Sequence, residues 1–171
     1  MRTVLSINAL GYVLAGFLSI AIPRAICAQT ASWDFDSGPE SWRAVSKTIT
    51  VSTTKAPERV KTGQAALLLQ GSQHSGGRLA ESNVHSMREA GHYRLSAWAR
   101  IDKPSFGAPA PMLICEFLTP EGSLGREPVE EYNSGSSGSW QRLTAEFRAP
   151  IGTEQCRLAV IPSGKASAET G

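Results

Sequence analysis

Residues His92–Ile101 read His-Tyr-Arg-Leu-Ser-Ala-Trp-Ala-Arg-Ile, and this run of strict alternation constrains the fold more than any other feature of the chain. Successive side chains of an extended strand point to opposite faces, so Tyr93, Leu95, Ala97, Ala99 and Ile101 share one face and Arg94, Ser96, Trp98 and Arg100 the other. The first face suits a core. The second is polar except for one large aromatic, Trp98. Met112–Thr119, residues 140–149 and Gln155–Ile161 repeat the short-strand pattern. So do residues 32–35, 42–53 and 65–70, with 78–81 and 130–132 as short additional strands. Gly, Pro, Ser and Asn punctuate the chain between them, as in Pro120-Glu121-Gly122 and the 133–139 stretch. Residues 83–90 alone hint at a helix. About eight to ten short antiparallel strands define an all-β chain, a β-sandwich of jelly-roll type.

The chain opens with Arg2 and an uncharged apolar run from Ile7 to Ile22, broken by Pro23-Arg24 and followed by Ile26-Cys27-Ala28. This is the pattern of a cleaved signal peptide over residues 1–28, with a retained membrane anchor as the alternative. The expected organisation is therefore a leader over 1–28, a β-sandwich over 29–165 and a tail over 166–171. The protein is expected to be secreted, extracellular or periplasmic. Of its 17 basic residues only Arg2 and Arg24 lie before Gln29, which leaves 15 basic against 15 acidic residues and no net charge. A balanced surface argues against nucleic acid as a partner, and a membrane enters only if the leader is retained. Without Cys27 two cysteines remain, Cys115 and Cys156, expected as one disulfide or as two buried thiols.

No catalytic constellation stands out. Glu130 and Glu131 are neighbours that point to opposite faces of an extended chain, so they cannot flank a glycosidic bond. Gly135-Ser136-Ser137-Gly138 lacks the spacing of a nucleophile elbow, and Ser163-Gly164-Lys165 lacks the upstream glycine of a phosphate loop. His74, His85 and His92 have no metal-ligand spacing. The chain is expected not to be an enzyme.

Four segments in order resemble the carbohydrate-binding modules of families 4, 9, 16 and 22, which are galactose-binding-like β-sandwiches. They are Phe35-Asp36-Ser37-Gly38 with Trp42; Lys61-Thr62-Gly63-Gln64-Ala65-Ala66-Leu67; Gly91-His92-Tyr93-Arg94-Leu95-Ser96-Ala97-Trp98-Ala99-Arg100; and Trp140 with Phe147 and Pro150-Ile151-Gly152. The resemblance implies a non-catalytic module that binds a polysaccharide or oligosaccharide, alone or alongside a glycoside hydrolase or surface assembly. It also implies a structural calcium ion near Asp34 and Asp36. Two departures stand beside it: the closing acidic strand of these modules does not appear before Gly171, and the loop Gly71-Ser72-Gln73-His74-Ser75-Gly76 lacks their tryptophan.

Sugar recognition requires a flat aromatic against a pyranose ring and polar groups that fork onto hydroxyls. The expected platform is Trp98, with Arg94 and Arg100 on its face. Tyr132 is a second rim platform, Glu116 a hydroxyl acceptor and His74 a loop contact. Trp42 and Trp140 are expected in the core. The alternatives are a structural or protein-interaction sandwich without a sugar site and a fragment of a larger glycoside hydrolase.

Overall fold

The computed structural model describes residues 2–7, 35–39, 41–61, 63–71, 77–102 and 110–162. They form ten strands and no α-helix among the described residues. The strands are β1 (Arg2–Ile7), β2 (Trp42–Ala44), β3 (Ile49–Thr54), β4 (Ala66–Gly71), β5 (Ala80–Ser86), β6 (His92–Ile101), β7 (Met112–Thr119), β8 (Gly122–Pro128), β9 (Gln141–Arg148) and β10 (Gln155–Ile161). Two five-stranded sheets face each other, one ordered β3-β4-β1-β6-β9 and the other β2-β5-β10-β7-β8. Every pairing is antiparallel. The all-β sandwich expected from the alternation is the fold.

Alternation decides which residues meet between the sheets. Leu67 and Leu69 on β4, Leu95, Ala97, Ala99 and Ile101 on β6, and Leu143 on β9 meet Leu113, Cys115 and Phe117 on β7 and Leu158 and Val160 on β10 in one buried cluster. Trp42 joins it from β2, as expected. Trp140 does not. It packs with Val60 against Ala66 and Leu68 on the outer side of the first sheet, because Ala66 and Leu68 alternate with the inward Leu67 and Leu69.

Three assignments change. Residues 42–53, read as one strand, are two: β2 belongs to one sheet and β3 to the other, and the chain crosses between them through a turn in which Ile49 N–H donates to the Ser46 carbonyl at 3.1 Å. The hint of helix over 83–90 is overridden by sheet pairing. Val84, His85 and Ser86 lie opposite Arg157, Cys156 and Gln155 of β10, and β5 is an interior strand rather than a short edge. Residues 130–132 form no strand, whereas β8, rich in glycine and mostly exposed, pairs with β7 through its backbone.

Residues 2–7, the start of the segment read as a leader, form an interior strand of the first sheet, paired with β4 on one side and β6 on the other. At the far end of that sheet, Gly71 lets β3 and β4 close tightly. A Cβ there would lie 1.9 Å from the Thr48 carbonyl oxygen, and its φ of 148° disfavours any side chain.

Candidate functional site

The residues expected to form one site are distributed over three places. Trp98 and Arg100 lie on the outer face of the first sheet, half-buried, with Arg94 exposed on the same strand. The Lys61 ammonium sits 4.7 Å from the centroid of the Trp98 ring, a cation–π contact on the surface that a sugar would need. Arg100 is engaged as well, pairing with Asp102 at 2.8 Å and donating to the Glu58 carbonyl. Arg94 pairs with Glu146 at 3.5 Å. The 55–61 segment thus touches this face at two points, Lys61 over Trp98 and the Glu58 carbonyl on Arg100.

Tyr132 is not at a rim. It is buried in the core, where its hydroxyl lies 3.0 and 2.8 Å from the Ser136 and Ser139 carbonyl oxygens and anchors the Gly/Ser loop from below. His74 and Asp34 lie outside the described residues. Asp36 is half-buried, and its Oδ1 accepts the Gln64 N–H at 3.2 Å. Calcium wants six to eight oxygen donors. Among the described residues no group of three or more His, Cys, Asp or Glu side chains converges.

Cys115 and Cys156 are free buried thiols rather than a bridge. They lie diagonally on the core faces of β7 and β10, since Cys115 is opposite Leu158 and Cys156 opposite Phe117. A hydrogen bond between the two thiols, together with burial, pushes Cys115 far above the ordinary thiol range.

Glu116 stands in a different setting from the one expected. It alternates outward from the core residues Cys115 and Phe117, opposite Arg157 on β10 and Arg126 on β8. Its side chain is only 8% exposed. Arg157 donates to its Oε2 from Nη2 at 2.7 Å and from Nε at 3.1 Å, and Arg78 donates to its Oε1. Two strands across the sheet, on β5, Glu81 is as deeply buried and receives Arg43 at 2.5 Å, Arg78 at 3.2 Å and Arg157 at 3.3 Å. Three guanidinium groups thus hold two carboxylates. Burial by itself would raise the Glu81 carboxyl, but the Arg43 hydrogen bond and the charges of Arg157, Arg43 and Arg78 outweigh it and hold the group below its ordinary range.

Sheet order explains this assembly. β2, β5, β10 and β7 bring Arg43, Glu81, Arg157 and Glu116 into one row across the outer face, and Arg78 reaches in from just before β5. Beside the row, Met112, Ile114, Ala159 and Ile161 form a second, smaller apolar cluster. The carboxylates lie at the bottom, and the arginines rise to the surface, with the Arg43 side chain 74% exposed. Fixed guanidinium forks present parallel N–H donors in known directions, which is the geometry needed to recognise vicinal hydroxyls or carboxylates. The sequence carried a faint signal of this: Glu116 and Arg157 are each a single charge inside a largely apolar strand.

A shallow recess of about 560 Å³ lies at one end of the sandwich, between Ser86–Glu89 and Gly152–Glu154. It gathers none of the residues above.

The chain is similar to the carbohydrate-binding and catalytic modules (CBM22-1–GH10) of the Clostridium thermocellum endo-1,4-β-D-xylanase 10B complexed with xylohexaose, with a TM-score of 0.57 at 12% identity. That match covers 75% of this chain and 24% of the xylanase chain. The enzymatically active domain of bacteriophage CBA120 tailspike protein 4 matches with a TM-score of 0.44 at 12% identity, over 70% of this chain and 16% of that one. No family model and no curated protein matches the chain. At 12% identity the likeness to the xylanase structure is one of fold, an antiparallel β-sandwich.

Proposed function

We propose that this protein is a secreted, non-catalytic carbohydrate-binding module whose binding surface is the outer face of the second sheet. The observation that carries this reading is the row of Arg43, Arg78 and Arg157 fixed over Glu81 and Glu116. A guanidinium held in place by a buried carboxylate loses little freedom when it binds, so its free N–H groups form sugar hydrogen bonds at low entropic cost. The similar xylanase structure, a complex with xylohexaose, makes a β-1,4-linked oligosaccharide the first ligand to try. Trp98 has a structural role in this reading.

The function is tested by screening the purified protein on a glycan array, with and without calcium, alongside Arg43→Ala and Trp98→Ala. Binding to one glycan class that is lost in Arg43→Ala and kept in Trp98→Ala supports the reading. Binding lost in Trp98→Ala alone returns the site to the first sheet. The rival reading, a structural or protein-interaction sandwich, is favoured by the cation over Trp98 and is upheld if the folded protein binds no glycan.

A further inference from the structure

The first sheet depends on a strand that arrives from far away in sequence. β4 and β6 do not pair with each other, and the channel between them is filled by β1. The register runs Arg2, Thr3, Val4 and Leu5 against Gln70, Leu69, Leu68 and Leu67 on one wall. On the other wall Thr3, Val4, Leu5, Ser6 and Ile7 lie against Ile101, Arg100, Ala99, Trp98 and Ala97. The walls are themselves held from outside, β4 by β3 and β6 by β9. Without β1 the sheet becomes two separate pairs, each presenting a bare edge over the core.

The channel is selective in two ways. Its residues opposite Thr3, Leu5 and Ile7 are Leu67, Leu69, Ala97, Ala99 and Ile101, all of them in the main core cluster. Those opposite Val4 and Ser6, namely Leu68, Arg100 and Trp98, face away from it. An occupant must therefore alternate with period two in one particular phase, and must run antiparallel to both walls. In this register the backbone of residues 2–7 runs antiparallel to both walls. They are joined to Phe35 by residues 8–34, a connection far longer than a hairpin turn, so the pairing is not imposed by a tight loop.

We propose that the channel between β4 and β6 is a strand-acceptor site. It takes one extended peptide by β-augmentation on both edges, and residues 2–7 are its occupant in cis. The site recognises an alternating strand of about six residues with small or aliphatic side chains at every second position. Since the same six residues open the segment read as a leader, export and strand insertion compete for them, and a chain stripped of its leader accepts an equivalent strand in trans. The inference does not rest on sugar binding.

The test uses the full chain and a labelled synthetic peptide of residues 2–7, Arg-Thr-Val-Leu-Ser-Ile. Val4→Pro places in the cis strand a residue that cannot be accommodated between two paired neighbours. The Val4→Pro chain is expected to take up the peptide at least tenfold more tightly than the unmodified chain, while a peptide carrying the same proline binds to neither. Equal uptake of both peptides, or none by a folded Val4→Pro chain, overturns the proposal. Residue-resolved deuterium exchange on the unmodified chain gives a second reading that does not depend on the variant folding. Channel-facing amides of β4 and β6 protected as strongly as those between β7 and β10 support it, and edge-like exchange along both walls overturns it.

Discussion

The Lys61 ammonium lies 4.7 Å from the centre of the Trp98 ring, on the very aromatic whose sequence setting suggests sugar stacking. A pyranose stacking on that face of the ring would have to displace the Lys61 side chain. The sequence pattern makes Trp98 conspicuous because it is a lone aromatic on a polar face. The structure gives it a partner thirty-seven residues earlier in the chain.

Trp98→Ala is accordingly expected to lower stability without changing sugar affinity. The loss of a half-buried aromatic and its cation contact costs about 1–3 kcal/mol. Chemical denaturation and titration with xylohexaose measure the two effects on one preparation. A collapse of affinity in a stably folded Trp98→Ala protein would restore Trp98 as the platform.

Glu116→Gln removes the charge that holds Arg78 and Arg157 while keeping nearly the same shape. Breaking one side of a buried ion-pair network is costly because three guanidinium groups are then left on the single carboxylate of Glu81, and about 3–5 kcal/mol is expected. Replacing Glu116 and Arg157 together by Met and Leu should recover much of that loss while sugar binding is weakened. Thermal unfolding of the single and double variants checks the order.

Acid sensitivity follows from Glu81. Its carboxyl titrates below its ordinary value of 4.5 in the folded protein, so the folded state binds the proton less readily than the unfolded chain does. The stability this contributes is fully present above pH 4.5 and is lost as the pH falls through the lower folded value. Denaturant midpoints from pH 7 down to pH 3 should fall in that lower window, and the fall should be shallower in Glu81→Gln.

Gly71→Ala tests the tight closure of β3 on β4. With a Cβ placed 1.9 Å from the Thr48 carbonyl oxygen, the turn before β3 must shift, at a cost of about 2–4 kcal/mol. A denaturation midpoint within experimental error of the parent would show that this turn is looser than described.

What was legible in the sequence was whatever a single strand declares by itself. β6 alternates over ten residues and β7 is an almost continuous apolar run, and both appear with the expected bounds. β8 was hidden because Gly122, Gly125 and Pro128 give it almost no side-chain pattern, and its place is set by backbone pairing to β7. The break between β2 and β3 was hidden because Trp42, Ile49 and Val51 are all apolar-facing, although they belong to opposite sheets. Glu116 was singled out as a hydroxyl acceptor, and the structure shows it as the buried partner of two arginines. Its partners Arg78 and Arg157 lie 38 and 41 residues away, so no local spacing could join them. Tyr132 misled for the opposite reason: a polar, Gly/Ser-rich neighbourhood suggests a rim, whereas its ring faces the core and only its hydroxyl meets the loop.

The most direct test is calorimetric titration of xylohexaose into the parent protein and into Arg43→Ala. Arg43 is the most exposed of the three guanidinium groups, and Glu81 keeps Arg78 and Arg157 without it, so the variant folds. Loss of a charge-assisted hydrogen bond is worth about 1.5–3 kcal/mol, which predicts roughly a tenfold or greater drop in affinity. Measurable binding in the parent with that drop supports the account. Binding that is unchanged in Arg43→Ala contradicts it.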